Sequence, residues 1–316
     1  MPDTADLPLL KTHEIAVGGS HVLQVQEFGA PDGLPAVVLH GGPGSSASPL
    51  LRRGFDPAHW RLVCIDQRGC GASRPRGETA DNTTALLVDD MRRVRAHLGI
   101  TRWLVMGGSW GASLALAYAS VEPQALLGLL LRASFLARRE DVDAFFGPAA
   151  GAQRPRAWHR LTQDVPAPLL PMLARALQHG TRAEQEQAAT AWWRWEQALG
   201  NGLEDPPPLQ GEALARQVDR LRVQAHFLVH GCWLDEQPLL ARCAQLPAVP
   251  TLLLHARDDL VCPAAGAVAL QAALPHARLQ WLEQGGHDAS HPALLQATAA
   301  ALAAFVTHGR FVPEAA

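Results

Sequence analysis

The five residues Gly107-Gly108-Ser109-Trp110-Gly111 constrain this chain more than any other segment, because of what flanks them. A short apolar run at 103–106 precedes them and a stretch of helical spacing at 112–120 follows, which puts the motif at a strand-to-helix turn. Glycines on both sides of a serine permit a turn sharp enough to lift its hydroxyl out of a sheet, and they leave free N–H groups at the start of the helix. A serine hydroxyl is a poor nucleophile until a base takes its proton. Such a turn therefore implies a histidine and an orienting acid elsewhere in the chain.

The same alternation of strand and helix extends on both sides. Residues 36–39, 62–65, 127–131, 251–255 and 278–282 are short apolar runs of the kind found in a sheet covered on both faces, and 86–98 and 292–307 carry helical spacing. Ahead of them, 14–17 and 22–28 read as an antiparallel hairpin around Gly18, Gly19 and Ser20. The middle differs. Between about 135 and 245 no comparable strand run occurs, while 169–178, 182–199 and 211–227 have helical spacing, separated by prolines at 166–171 and 206–208. The expected architecture is an α/β fold with a mostly parallel central sheet flanked by helices. A core of 1–134 and 247–316 is interrupted by a helical cap at 135–246. Five of the nine tryptophans fall in this insertion (Trp158, Trp192, Trp193, Trp195, Trp233) and are expected to build its core rather than the wall of a pocket.

Composition narrows the partners. With 27 Lys+Arg against 30 Asp+Glu the formal net charge is -3, so no basic field draws the chain to nucleic acid or anionic lipid. Five cysteines, widely spaced and without a C-x-x-C pair, indicate neither a disulfide framework nor a zinc site. Residues 1–10 lack the basic and apolar regions of a secretory signal, and no apolar run nears a membrane span, so the expected compartment is the cytoplasm.

The acid and base appear in order after the serine. Arg257-Asp258-Asp259 follows the strand at 251–255, and Gly285-Gly286-His287 follows the strand at 278–282. Serine, acid and histidine in this sequence, each just beyond a strand, is the chain order of an α/β hydrolase. Spacing alone leaves Asp258 and Asp259 nearly equal. His291 rivals His287, but it precedes Pro292 at the start of a helix, where a capping or surface role fits better. Acyl transfer also needs donors aimed at the developing oxyanion. His40-Gly41-Gly42-Pro43-Gly44 follows the strand at 36–39 and can supply one beside the N–H of Trp110; it lacks the lysine of a phosphate-binding loop.

These segments, together with DQRGCGAS at 66–73, DNTT at 81–84 and ARDDLVCP at 256–263, resemble the proline iminopeptidases, the prolyl aminopeptidase branch of the α/β hydrolases. The resemblance covers nearly the whole chain. It implies a serine exopeptidase that removes N-terminal proline, with Ser109, Asp259 and His287 as its triad and Gly42 and Trp110 as oxyanion donors. It needs neither metal nor organic cofactor. Trp192-Trp193-Arg194-Trp195-Glu196 resembles the family's W-x-x-W-E segment and places Glu196 as a ligand of the substrate's α-ammonium. Phe135 and either Phe145 or Phe146 correspond to its aromatic proline pocket. One departure stands out: Gln224 and Ala225 occupy positions where the family carries Glu-Asn, that Glu being a second ammonium anchor. Loss of one such charge weakens ammonium binding by about 1 to 3 kcal/mol, unless Asp235 or Glu236 compensates. An esterase or amidase with altered acyl specificity is therefore the competing expectation; a non-catalytic binding protein is disfavoured by the complete set of Ser109, Asp259 and His287. The expected partner in either case is a small peptide or an aminoacyl amide or ester.

Overall fold

The computed structural model describes residues 7–234 and 238–311; the first six residues of the segment read for a signal, and both Asp235 and Glu236, lie outside them. A hairpin comes first, β1 (Leu9–Gly18) and β2 (His21–Gly29), then β3 (Leu34–Leu39), β4 (Trp60–Ile65), α1 (Thr84–His97), β5 (Trp103–Gly108), α2 (Trp110–Val121) and β6 (Leu126–Arg132). Six helices follow without a strand: α3 (Arg139–Phe146), α4 (Pro148–Gln153), α5 (Pro155–Asp164), α6 (Leu169–His179), α7 (Arg182–Asn201) and α8 (Gly211–Val229). The chain closes with α9 (Leu239–Cys243), β7 (Thr251–Ala256), α10 (Ala264–Ala273), β8 (Arg278–Leu282) and α11 (Pro292–His308).

All strands join one sheet in the order β1-β2-β4-β3-β5-β6-β7-β8. β2 runs antiparallel to both its neighbours, and β4 through β8 pair in parallel. Alternation along each central strand divides the core in two. Val37, Leu39, Val63 and Val105 face α1 and α2, while Ala36, Val38, Leu62 and Leu104 face α11 through Leu302 and Phe305.

A third cluster belongs to the inserted helices. Trp192, Trp195 and Leu199 form a buried stripe along α7 and pack with Leu173, Leu177, Val218 and Leu221 from α6 and α8. α7 starts at a reciprocal Thr181–Glu184 capping box and stops at Gly202 in the left-handed conformation, which sets its register. α8 is shared between layers. Val218, Leu221 and Ala225 enter the cap cluster, while Val223 and Phe227 enter the sheet-side core. The backbone of α8 also lies so close to the loop after β3 that a Cβ on Gly44 would stand 2.2 Å from the Arg220 carbonyl oxygen.

The loop after β4 is anchored by Arg68, which is 2 % exposed. Its guanidinium forks onto Asp90 of α1 at 2.6 and 2.7 Å and reaches the carbonyls of Val17 and Asp81. Removing one partner of a buried pair strands the other charge, so Arg68→Ala is expected to cost about 3–5 kcal/mol. Urea denaturation followed by circular dichroism checks this, and a loss below about 1 kcal/mol would contradict the anchoring role.

Candidate active site

Ser109 lies between β5 and α2 with φ 55° and ψ -124°, outside the regions a serine ordinarily adopts. The turn closes only because its flanks carry no side chains: a Cβ at Gly107 would lie 2.2 Å from the Gly111 carbonyl oxygen, and one at Gly111 would lie 2.2 Å from that of Leu39. The Ser109 N–H donates to the Arg132 carbonyl of β6 at 3.0 Å, pinning the turn to the neighbouring strand.

Asp259 and His287 come together from the ends of β7 and β8. The His287 Nδ1–H donates to Asp259 Oδ2 at 2.8 Å, and Asp259 Oδ1 accepts the N–H groups of Val261 (2.9 Å) and Cys262 (2.8 Å). Burial alone would push the Asp259 carboxyl up, but His287 and the Cys262 amide hold it below the usual carboxylate range. Burial is the largest single influence on His287 and works against its charged form, yet Asp259 and Cys262 together outweigh it and keep the imidazole well above its ordinary value. The Cys262 thiol beside them is buried, which pushes its pKa up, and Ser109, Cys262 and His287 line the same cavity.

The neighbouring aspartate has a different task. Asp258 accepts the N–H groups of Gly286 at 2.8 Å and Gly285 at 3.4 Å, which fixes the loop that carries His287. His291 occupies the N-cap position of α11 but makes no side-chain capping bond, and its ring packs against Gly285.

The loop after β3 closes over the serine from the other side. A Cβ on Gly41 would stand 3.3 Å from Ser109 Cβ, and Trp110 is the first residue of α2, so its N–H has no partner within the helix. Gln67 ties the two segments together. Its side chain donates to the His40 carbonyl at 3.0 Å and accepts Trp110 Nε1–H at 3.0 Å, while its N–H donates to His40 Nε2 at 3.1 Å. With that nitrogen accepting, His40 carries its proton on Nδ1 and donates it to the Gly41 carbonyl; burial lowers its pKa and keeps it neutral.

A cavity of about 380 Å³ opens between sheet and cap above these groups. Ser109, His287, Gly42, Phe135, Phe145, Phe146, Glu196 and Gln224 all line it. The five cap tryptophans do not. Trp192 and Trp195 instead support its wall from behind, meeting Phe146 and Phe145 edge-on at 5.1 and 6.3 Å. Two cavity cations escaped the sequence reading. Arg132 is 3 % exposed, its Nε has no hydrogen-bond partner, and burial pushes its pKa down to about 10. Arg220 of α8 forms an ion pair with Glu196 of α7 and donates to Gln224 Oε1 at 3.1 Å; Gln224 Nε2 in turn donates to Glu196 Oε1 at 3.1 Å. The spacing of Arg220 and Gln224, four apart on one helix, was the only signal for this contact. Asp235 and Glu236, considered as compensating charges, lie outside the described residues.

A nucleophile elbow at the centre of a mostly parallel sheet, with acid and histidine beyond its last two strands, defines an α/β hydrolase, and the sequence pattern of the alpha/beta hydrolase fold matches residues 35–293. Within that fold the chain belongs to the proline iminopeptidase family. It is 38 % identical over 302 residues to the proline iminopeptidase of Neisseria meningitidis, covering 93 % of this chain and 96 % of that one. Over 294 residues it is also 38 % identical to that of Xanthomonas citri, covering 90 % and 94 %. The crystal structure of a proline iminopeptidase from Mycobacterium smegmatis superposes with a TM-score of 0.65 at 21 % identity over 95 % of this chain and 98 % of the other, a likeness of fold.

If His287 is the base that takes the Ser109 proton it must be neutral to act, and its raised pKa is then expected to shift the rising limb of kcat/KM to higher pH than a free imidazole would give. Asp259→Asn removes the charge that raises it. The limb is expected to move to lower pH, with kcat falling on the order of 10³- to 10⁴-fold. A pH–rate profile of both proteins measures this; a limb that stays in place contradicts the pairing.

Proposed function

We propose that this chain is a serine exopeptidase that releases N-terminal proline from peptides through an acyl-enzyme. The reading is carried by one observation: Glu196 and the phenylalanines Phe135, Phe145 and Phe146 wall the same cavity into which Ser109 and His287 open. A flat apolar ring suits the phenylalanine faces, and a carboxylate beside them suits the imino nitrogen of a terminal proline.

In the proposed reaction His287 takes the Ser109 proton as Oγ attacks the prolyl carbonyl carbon, and the new oxyanion is held by the N–H groups of Gly42 and Trp110. Collapse breaks the C–N bond while His287 returns the proton to the departing amine. Water, deprotonated by the same imidazole, then attacks the ester carbon and frees Ser109 and proline. Asp259 keeps the imidazole oriented and stabilises its charged form in both halves. The partly buried phenylalanine wall reduces water around the acyl group and strengthens the hydrogen bonds to the oxyanion.

Proline 2-naphthylamide is expected to be cleaved by the wild-type protein and to be cleaved on the order of 10⁶-fold more slowly by Ser109→Ala. Fluorescence of released naphthylamine gives both rates. Cleavage of simple esters with no release from the prolyl compound would overturn the proline reading in favour of an esterase.

A further inference from the structure

The side chain expected to bind a substrate cation already binds a cation of the protein. Arg220 forms an ion pair with Glu196, and the Gln224 amide closes the arrangement by accepting from Arg220 and donating to Glu196, each at 3.1 Å. All three side chains line the cavity and are about four-fifths buried or more, so solvent screens the pair only partly. The other carboxylates on the cavity wall are engaged as well. Asp141 is paired with Arg138 at 2.6 Å, and Asp288 accepts the Ser290 N–H at 2.7 Å and its hydroxyl at 2.6 Å. Arg132 adds a buried guanidinium with no carboxylate beside it.

The charge in the amine subsite is therefore balanced before substrate arrives. An entering ammonium meets one carboxylate and one guanidinium at nearly the same place, so the long-range attraction of Glu196 is largely cancelled. To bond Glu196 directly the ammonium must also displace a partly desolvated guanidinium whose Nη2 meets Glu196 while its Nη1 holds Gln224. A nitrogen that carries no charge faces neither obstacle. It enters beside a network whose donors and acceptors are already satisfied, and leaves no buried carboxylate unpaired.

We propose that Arg220 is a specificity-determining residue: as the resident counter-ion of Glu196 it lowers the preference for a free N-terminal imino group and admits prolyl groups whose nitrogen is acylated. This rests on the proposed prolyl hydrolase reading and extends the substrate class to N-blocked prolyl amides and esters. The covalent steps are unchanged, with Ser109 attacking the prolyl carbonyl and the amine or alcohol leaving with the proton from His287.

The test compares kcat/KM for proline 2-naphthylamide and N-acetylproline 2-naphthylamide in the wild type, Arg220→Ala and Gln224→Glu. In the wild type the two values are expected to lie within about tenfold of each other. Removing the guanidinium frees Glu196, and adding a second carboxylate outweighs Arg220, so each variant is expected to raise the ratio of free to blocked substrate by about tenfold or more. The change should appear as a lower KM for the free substrate with kcat little altered, a split that a merely structural effect on Ser109 would not produce. A ratio that Arg220→Ala leaves unchanged overturns the proposal, as does a wild-type ratio already above about 100-fold. Should Arg220→Ala not fold, an unchanged ratio in Gln224→Glu overturns it equally. If the wild type cleaves p-nitrophenyl acetate but neither prolyl compound, the prolyl reading itself falls and the inference with it. Cleavage of the free prolyl compound with an unshifted ratio removes the inference alone.

Discussion

The backbone of Ser109 is the constraint on which the rest of the site depends. A serine held at positive φ stores strain of about 1–3 kcal/mol, and it persists only where its surroundings leave no alternative. Here they do so through contacts too close for side chains at Gly107 and Gly111, and through the hydrogen bond from the Ser109 N–H to β6. Both depend on the parallel register of β3, β5 and β6, which aligns Leu39 with Gly107 and Gly107 with Leu131. The sheet thus fixes the turn. The turn in turn points the helix start of α2, the loop after β3 and the ends of β7 and β8 at one volume, in keeping with the placement of ligand sites at the carboxyl ends of parallel strands.

Polar groups around that volume are arranged in two distinct ways. Near Ser109 the side chains of Asp259, Gln67 and Asp258 each have dedicated partners, while the buried Arg132 Nε has none. Asp259 accepts three hydrogen bonds, Gln67 links the His40 carbonyl to the Trp110 indole, and Asp258 fixes the backbone of the histidine loop. Adjacent aspartates therefore take different partners, one the imidazole and the other the backbone of the histidine loop. Farther out, where α7 and α8 face the acyl group, the arrangement is looser: one carboxylate is shared by a guanidinium and an amide on the next helix, and all three side chains retain some solvent contact. The Glu196–Arg220–Gln224 network shares no hydrogen bond with the Asp259–His287 pair.

Much of this was legible in the sequence because the chemistry of the fold is tied to strand ends. The six runs read as central strands all correspond to β-strands, since buried parallel strands leave short, continuous apolar segments. Short helices were harder. α3, α4 and α5 contain eight, six and ten residues, too few for the period to show. α10, Ala264–Ala273, is built almost wholly of small and apolar residues and has no polar face to mark its turns. Trp158, Trp192, Trp193 and Trp195 followed the plainer reading and join the cap cluster, whereas Trp233 packs against the sheet-side core and stacks on His230. Arg220 was invisible for another reason. A lone arginine on an amphipathic helix reads as a solvated side chain, and only the packing of α7 against α8 brings it to a glutamate 24 positions away. Likewise, spacing could not separate Asp258 from Asp259, because what distinguishes them is which carboxylate meets the imidazole and which meets the backbone of Gly285 and Gly286.

The place of the insertion has a consequence for the order in which the molecule assembles. β6 and β7 are hydrogen-bonded neighbours, Leu129 opposite Thr251, yet all of α3 to α9 lies between them in the chain. During synthesis the nucleophile turn, with β3, β5 and α2, emerges well before the strands that bring the acid and the base. Closing so long a loop is entropically costly and favours late, slow pairing. Asp259 and His287 therefore reach Ser109 only once the last two strands have been made and paired to the sheet.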